Sequence, residues 1–273
     1  MATSSFEFAL TGDYPPISYV NFEDLKARIM SMPDSLIRRE VGQHIALKHV
    51  AQEEFNFIED NRGQLGTTVR LSYFPDIQTL IVKVPSREHE KAHVTFGGRM
   101  SRKVFMMGVG VLEFQGLGAT RYTGSTASTK ESDSSWTNDL LRPRSFPMLV
   151  IEAGVSESMR RLWADAAWWM ANSNGLVNIV LLIKVTKNRR KIDIEKYIPT
   201  RALPTRARPA PEYKPLKVST IRIDPGVNPP RIQGAPLRLE FEKVIGRRPN
   251  PPLEKDFVFT AAELLEWARY VFI

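Results

Sequence analysis

Cysteine is absent from the 273 residues, which excludes disulfides and cysteine-ligated zinc and fits a reducing compartment. No run approaches the roughly 18 to 20 consecutive apolar residues that a membrane span needs, so no membrane partner is expected. The opening MATSSFEFALTGDYPP lacks a basic segment followed by a long apolar one. No signal peptide is therefore expected, and the predicted location is intracellular, in nucleus or cytoplasm. No internal repeat is visible. What is present is an apolar fraction of 42% and a charged fraction of 25%, as in ordinary globular chains. The length suffices for a packed core, and one domain spanning 1–273 is expected.

Charge is unevenly spread. The net value is +8, yet between Lys184 and Arg222 twelve Lys/Arg face only Asp193, Glu195 and Glu212. Such a block favours a polyanion, of which nucleic acid is the commonest. Read blandly, it is a solvated basic loop, with KNRRK (187–191) as a nuclear address. The candidate nucleic-acid contacts are Lys187, Arg189, Arg190, Lys191, Arg206 and Arg208.

Along the chain, Asn21 caps a predicted helix that Pro33 ends. Leu36, Ile37, Val41, Ile45, Val50 and Phe57 form a helical stripe over 34–58. Two strands flank the Phe74-Pro75-Asp76 turn within 67–85. Residues 86–107 read as a helix that Gly97-Gly98 weakens. Short strands follow near 110–114 and 117–123, and 125–133 reads as a polar loop. DSSW (133–136) and MLVIEA (148–153) read as strands. Residues 156–175 form an amphipathic helix capped by Ser156 or Ser158, with Met159, Leu162, Trp163, Ala166 and Met170 inward. VNIVLLIKV (177–185) has the continuous apolar character of a strand covered on both faces, and KIDIEKY (191–197) alternates beside it. Residues 201–236 are rich in proline and basic groups and read as an extended arm. Residues 237–245 and 256–260 read as strands, before a helix capped by Thr260 with Glu263 three positions on. The predicted class is α/β: a mixed central sheet flanked by helices. Its parts are an N-terminal section (1–85), a core (86–200), the arm (201–236) and a C-terminal section (237–273).

Two sites stand out. In PMLVIEAGVSES (147–158) a carboxylate, Glu152, closes a buried strand. A buried carboxylate needs a cation, a hydrogen-bond network or a metal beside it. Asp133 begins the strand expected next to it, and two carboxylates on adjacent strand ends suit Mg²⁺ or Mn²⁺. Such an ion activates water at a phosphodiester. The position two after Glu152 is Gly154, so that strand offers no lysine. Lys184, near the end of the following strand, supplies the ammonium, with Arg160 and Arg161 as competing cations. The bland alternative makes Asp133 a turn acid and Glu152 a structural partner of Arg160 or Lys184.

Asp133-Ser-Ser-Trp, the run from Leu149 to Ser158, the ADAAWW helix and the strand IVLLIKV together resemble the PD-(D/E)XK, or restriction-endonuclease-like, superfamily over roughly 86–197. They are closest in flavour to uncharacterised fungal members with an E-V/A-G-V-S-E-S signature. The resemblance implies an α-β-β-β-α-β core with N- and C-terminal additions, and metal-dependent hydrolysis of phosphodiester bonds. It gives Asp133 the Asp position and Glu152 the Glu position, both as metal ligands, with Glu90 or Glu88 as a possible helical acid. The lysine position holds Gly154, and Ser132 rather than proline precedes Asp133. These departures keep Lys184 as a relocated lysine on one side and a catalytically inactive binding or interaction module on the other. Many such nucleases are dimers, because a duplex has two strands to cut.

The second site is HEKAH, His89-Glu90-Lys91-Ala92-His93. Histidines at i and i+4 share a helix face and grip one Zn²⁺, with Glu90 as base for its water and Glu113 as third ligand. That pattern expects a zinc metallopeptidase. The bland reading is a helix start with surface histidines.

Overall fold

The computed structural model describes residues 4–38, 42–155, 157–202 and 212–273. In chain order its elements are α1 (Ser5–Ala9), β1 (Ile17–Ser18), α2 (Phe22–Arg38), β2 (His44–Lys48), α3 (Gln52–Asp60), β3 (Arg70–Phe74) and β4 (Thr79–Lys83). Then come α4 (Arg87–Met106), β5 (Gln115–Gly116), β6 (Arg121–Thr123), β7 (Thr129–Glu131), β8 (Ser134–Thr137), β9 (Leu149–Val155), α5 (Met159–Asn172) and β10 (Ile179–Thr186). The chain ends with β11 (Lys191–Ala202), β12 (Glu212–Asp224), β13 (Arg231–Gln233), β14 (Leu237–Leu239), α6 (Phe241–Ile245), β15 (Phe257–Phe259) and α7 (Ala261–Val271). The class is α/β with mixed sheets. No described helix is long and apolar enough to cross a membrane.

The chain divides into two compact units, 1–86 with 121–131, and 87–120 with 132–273. In the first, a sheet ordered β1-β2-β4-β3-β7-β6 carries α2 and α3. Leu25 and Ile29 of α2 and Phe55 and Ile58 of α3 pack with Leu71, Tyr73, Leu80 and Val82 of the strands. Asn21 accepts from the Asp24 N–H as the cap of α2. The helix nevertheless continues past Pro33 to Arg38. The expected helical stripe over 34–58 is instead divided among the end of α2, strand β2 and α3, and Val41 lies outside the described residues. The segment 121–131 adds two strands. Its buried Glu131 is held by both Arg62 guanidinium nitrogens, at 2.5 and 2.8 Å, and by the Leu71 N–H at 3.1 Å.

The second unit is built on a sheet ordered β13-β12-β11-β10-β9-β8-β5. β9 and β10 are parallel, and every other neighbouring pair is antiparallel. A parallel pair needs a crossover, and α5 supplies it between β9 and β10. Alternate strand residues, Leu149, Ile151, Ala153 and Val155 of β9 with Ile179, Leu181, Ile183 and Val185 of β10, share one core with Ala92, Phe96 and Met100 of α4 and Leu264, Trp267 and Ala268 of α7. The residues between them face α5, whose Trp168 and Trp169 are buried. Ser158 caps α5 by accepting from the Arg161 N–H; Ser156 lies outside the described residues. Trp163, expected inward, is exposed. α4 runs through Gly97-Gly98 because Gly97 faces Trp136: a Cβ at 97 would meet that indole at 2.7 Å.

Three sequence expectations change here. Residues 212–224 of the proline-rich stretch are not an arm. They form β12, paired with β11 from Ile192↔Ile223 to Ala202↔Glu212, and β13 adds a further strand. Isolated prolines at a sheet's periphery leave such pairing intact. Residues 111–113 form a 3₁₀ turn rather than a strand, and 237–245 is a strand followed by the short helix α6.

Candidate metal centre

The buried stripe of α4 runs His89, Ala92/His93, Phe96/Gly97, Met100 and Val104, so the two histidines continue its apolar face. They are therefore fully buried, at 0% and 1% exposure, while the Glu90 side chain between them is 42% exposed. The first turn of α4 lies by the C-terminal ends of β9 and β10: Glu88 there pairs with Lys187, one residue beyond β10, at 2.6 Å. Ligand sites of open α/β sheets favour this edge.

Glu90 reaches both rings. Its Oε1 lies 3.5 Å from His89 Nδ1 and its Oε2 lies 3.3 Å from His93 Nε2. His89 and His93 together hold the Glu90 carboxyl well below the usual carboxylate range. The outer nitrogens are engaged from behind. His89 Nε2 lies 3.0 Å from Asp133 Oδ2, and His93 Nδ1 lies 2.8 Å from Ser134 Oγ. Among the described residues, His89, Glu90 and His93 are the one group of three such side chains whose donor atoms all lie within 4.8 Å of one another.

Each acid of the pair expected to hold Mg²⁺ or Mn²⁺ has partners of its own. Asp133 precedes the first residue of β8, in a bend, so strand alternation does not turn it beside Glu152. Its Oδ2 instead accepts the Ala153 N–H at 2.7 Å and faces α4 through His89. A backbone donor beyond the last β8–β9 pair, Ser134↔Ile151, needs an acceptor, and Asp133 supplies it. Glu152 projects to the other face, where its Oε1 accepts the indole N–H of Trp169 on α5 at 2.6 Å. Through these oxygens Asp133 engages His89 of α4, and Glu152 engages Trp169 of α5.

Lys184 does stand at the level of the missing lysine. It is the Cα partner of Gly154, and paired parallel residues share a face, which here is the α5 face of Glu152. Lys184 is half-buried, and its ammonium has no hydrogen bond or ion pair among the described residues. A Cβ at Gly154 would overlap the Glu157 carboxylate, so Glu157 fills the position that a lysine side chain would take there.

The third zinc ligand expected from the sequence is elsewhere. Glu113 is bound by Arg247, Nε to Oε1 at 2.5 Å, and that guanidinium holds its carboxyl below the usual range. Of the expected nucleic-acid contacts, Lys187 pairs with Glu88 and Lys191 with Asp224. Arg190 lies over the Phe272 ring and Arg189 is exposed. Arg206 and Arg208 lie outside the described residues. Ser134 and Trp169, which anchor the two polar clusters, enter the sequence reading only as parts of the strand DSSW and the ADAAWW helix, and no local motif marks either role.

No family model matches the chain, and no curated protein matches it.

Proposed function

We propose that the protein is a nucleic-acid-binding module built on a restriction-endonuclease-like core whose Mg²⁺ constellation has come apart. The observation that carries this reading is that each acid is already engaged by partners of its own, Asp133 by Ala153 and His89, and Glu152 by Trp169. An octahedral Mg²⁺ site takes carboxylate oxygens and waters in one pocket, and one oxygen of each acid already serves as an acceptor for a protein N–H. Leaving out β6 and β7, which belong to the first unit's sheet, the order α4-β5-β8-β9-α5-β10 supports the α-β-β-β-α-β reading. Charge points to the partner. The second unit holds 28 of the 38 Lys/Arg and 18 of the 30 acids, a surplus of ten, while the first holds 10 against 12. A surplus concentrated on one unit attracts a phosphate backbone without reading bases.

A second reading, an active Mg²⁺- or Mn²⁺-dependent nuclease, rests on Lys184, a half-buried ammonium on the face of Glu152 and at the level of Gly154. One experiment separates the two. Labelled single- and double-stranded DNA and RNA are titrated with protein at several salt concentrations, then incubated with Mg²⁺ or Mn²⁺. The module binds with an affinity that falls steeply with salt and leaves the strands intact. Cleavage that Glu152→Ala or Lys184→Ala abolishes replaces the first reading with the second, and the absence of salt-dependent binding removes both.

A further inference from the structure

We infer that the first turns of α4 bind one transition-metal dication of the Zn²⁺ class through His89 Nδ1, His93 Nε2 and the Glu90 carboxylate. Two donors at about 2.0 to 2.1 Å from a tetrahedral Zn²⁺ are about 3.3 to 3.4 Å apart. The structure gives 3.5 Å from Glu90 Oε1 to His89 Nδ1 and 3.3 Å from Glu90 Oε2 to His93 Nε2. Both separations are close to such an edge, and the ligand atoms of the three side chains all lie within 4.8 Å of one another.

The surroundings fix which nitrogens face inward. A metal-ligating histidine gives its other N–H to a carboxylate, hydroxyl or carbonyl, which sets the tautomer and orients the ring. Here Asp133 stands behind His89 at 3.0 Å and Ser134 behind His93 at 2.8 Å. In the metal-bound form the protons sit on those outer nitrogens, and the inner nitrogens, which lie within reach of Glu90 in the metal-free chain, give their lone pairs to the ion. The buried Nε2 of His93 has no aligned hydrogen bond, only the Glu90 oxygen at 3.3 Å. Two carboxylates, Glu90 and Asp133, add the negative charge that a dication offsets.

The donor set selects the metal. Two imidazoles and one carboxylate suit Zn²⁺, Co²⁺ or Ni²⁺, whereas Mg²⁺ requires oxygen donors. Three protein donors leave a fourth position. It opens on the side of Glu90, the exposed member, and takes water or an anionic oxygen. This centre differs from the expected peptidase site in two respects: Glu90 is a ligand rather than a base, and Glu113 has no part in it. The inference does not depend on nucleic-acid binding.

The test uses the untagged full chain, stripped with chelator and titrated with Zn²⁺, Co²⁺ and Mg²⁺ while heat and thermal stability are followed. One equivalent of Zn²⁺ should bind and raise Tm, Co²⁺ should give the visible bands of a four-coordinate ion, and millimolar Mg²⁺ should do neither. Asp133→Asn should weaken Zn²⁺ binding 10- to 100-fold, and His93→Gln should weaken it at least as much. Because His93 is buried, Glu90→Gln at the half-exposed position provides a variant whose fold is not at risk, and it should also lower the affinity. Unchanged Tm and no binding heat with Zn²⁺ and Co²⁺ would overturn the inference. So would full affinity retained in both Glu90→Gln and His93→Gln, which would locate the ion elsewhere.

Discussion

His89 on α4 and Asp133 before β8, 44 positions apart in the chain, meet at 3.0 Å between Nε2 and Oδ2, and the same carboxylate oxygen receives the Ala153 N–H at 2.7 Å. One acid thus ties a helix and the end of a buried strand together. Asp133→Asn keeps the shape and removes the charge. A charge-assisted hydrogen bond contributes roughly 1.5 to 3 kcal/mol, so the metal-free variant should lose about 2 kcal/mol in urea unfolding. A change within experimental error would mean that the aspartate is not anchoring this corner.

Glu152 and Trp169 form the second buried polar pair, at 2.6 Å. Trp169→Phe removes the indole donor and leaves a buried carboxylate oxygen short of its hydrogen bond. A loss of about 2 to 3 kcal/mol is expected. In a double-mutant cycle with Glu152→Leu, which removes the acceptor, the coupling should lie within about 0.5 to 3 kcal/mol. Additive effects would show that the bond contributes nothing.

How much of this was readable in the chain depended on range. Local signals held: Ser158 caps α5, Thr260 and Glu263 form the capping box of α7, and the apolar runs of β9 and β10 are central strands. HEKAH did mark a helix with two histidines on one face. Its burial was not marked, because the core that covers α4 comes from strands and a helix 50 to 180 residues away. Asp133, expected to begin the strand beside Glu152, lies in the bend just before β8, where strand alternation does not set its direction. β12 was missed because proline content dominated the reading of 201–236, although Ile221 and Ile223 are core residues.

Adjacent glycines of α4 should respond with opposite signs. A Cβ at Gly97 would stand 2.7 Å from Trp136 Cζ2 and 2.9 Å from its Cη2, both in a buried ring, whereas nothing lies within 4 Å of one at Gly98. Gly97→Ala should therefore cost about 1 to 3 kcal/mol through overpacking. Gly98→Ala should stabilise by about 0.5 to 1 kcal/mol, since alanine loses less backbone entropy in a helix. Thermal unfolding of the two variants compares them directly, and equal shifts would contradict the packing of Trp136 on α4.

Arg247 bridges Glu113 and Glu254, with Nη1 and Nη2 reaching Glu254 at 2.5 and 2.7 Å. Its guanidinium holds both carboxyls below the ordinary glutamate value of about 4.3. Groups with lowered folded pKa contribute stability that is fully present above the unfolded value and is lost as pH falls through the folded one. The stability gap between the native chain and Arg247→Met should therefore be constant from pH 7 to about 5 and shrink as the pH drops below about 4. A gap that widens toward low pH would contradict this linkage.

The central proposal is that Asp133, just before β8, and Glu152 of β9 hold no common ion and that α4 binds the metal. Anomalous diffraction from crystals soaked separately in Mn²⁺ and Zn²⁺ tests it. The account predicts a Zn²⁺ peak among His89, Glu90 and His93, and no Mn²⁺ peak between the carboxylates of Asp133 and Glu152. A Mn²⁺ ion bridging those two carboxylates, with the Lys184 ammonium beside it, would contradict it.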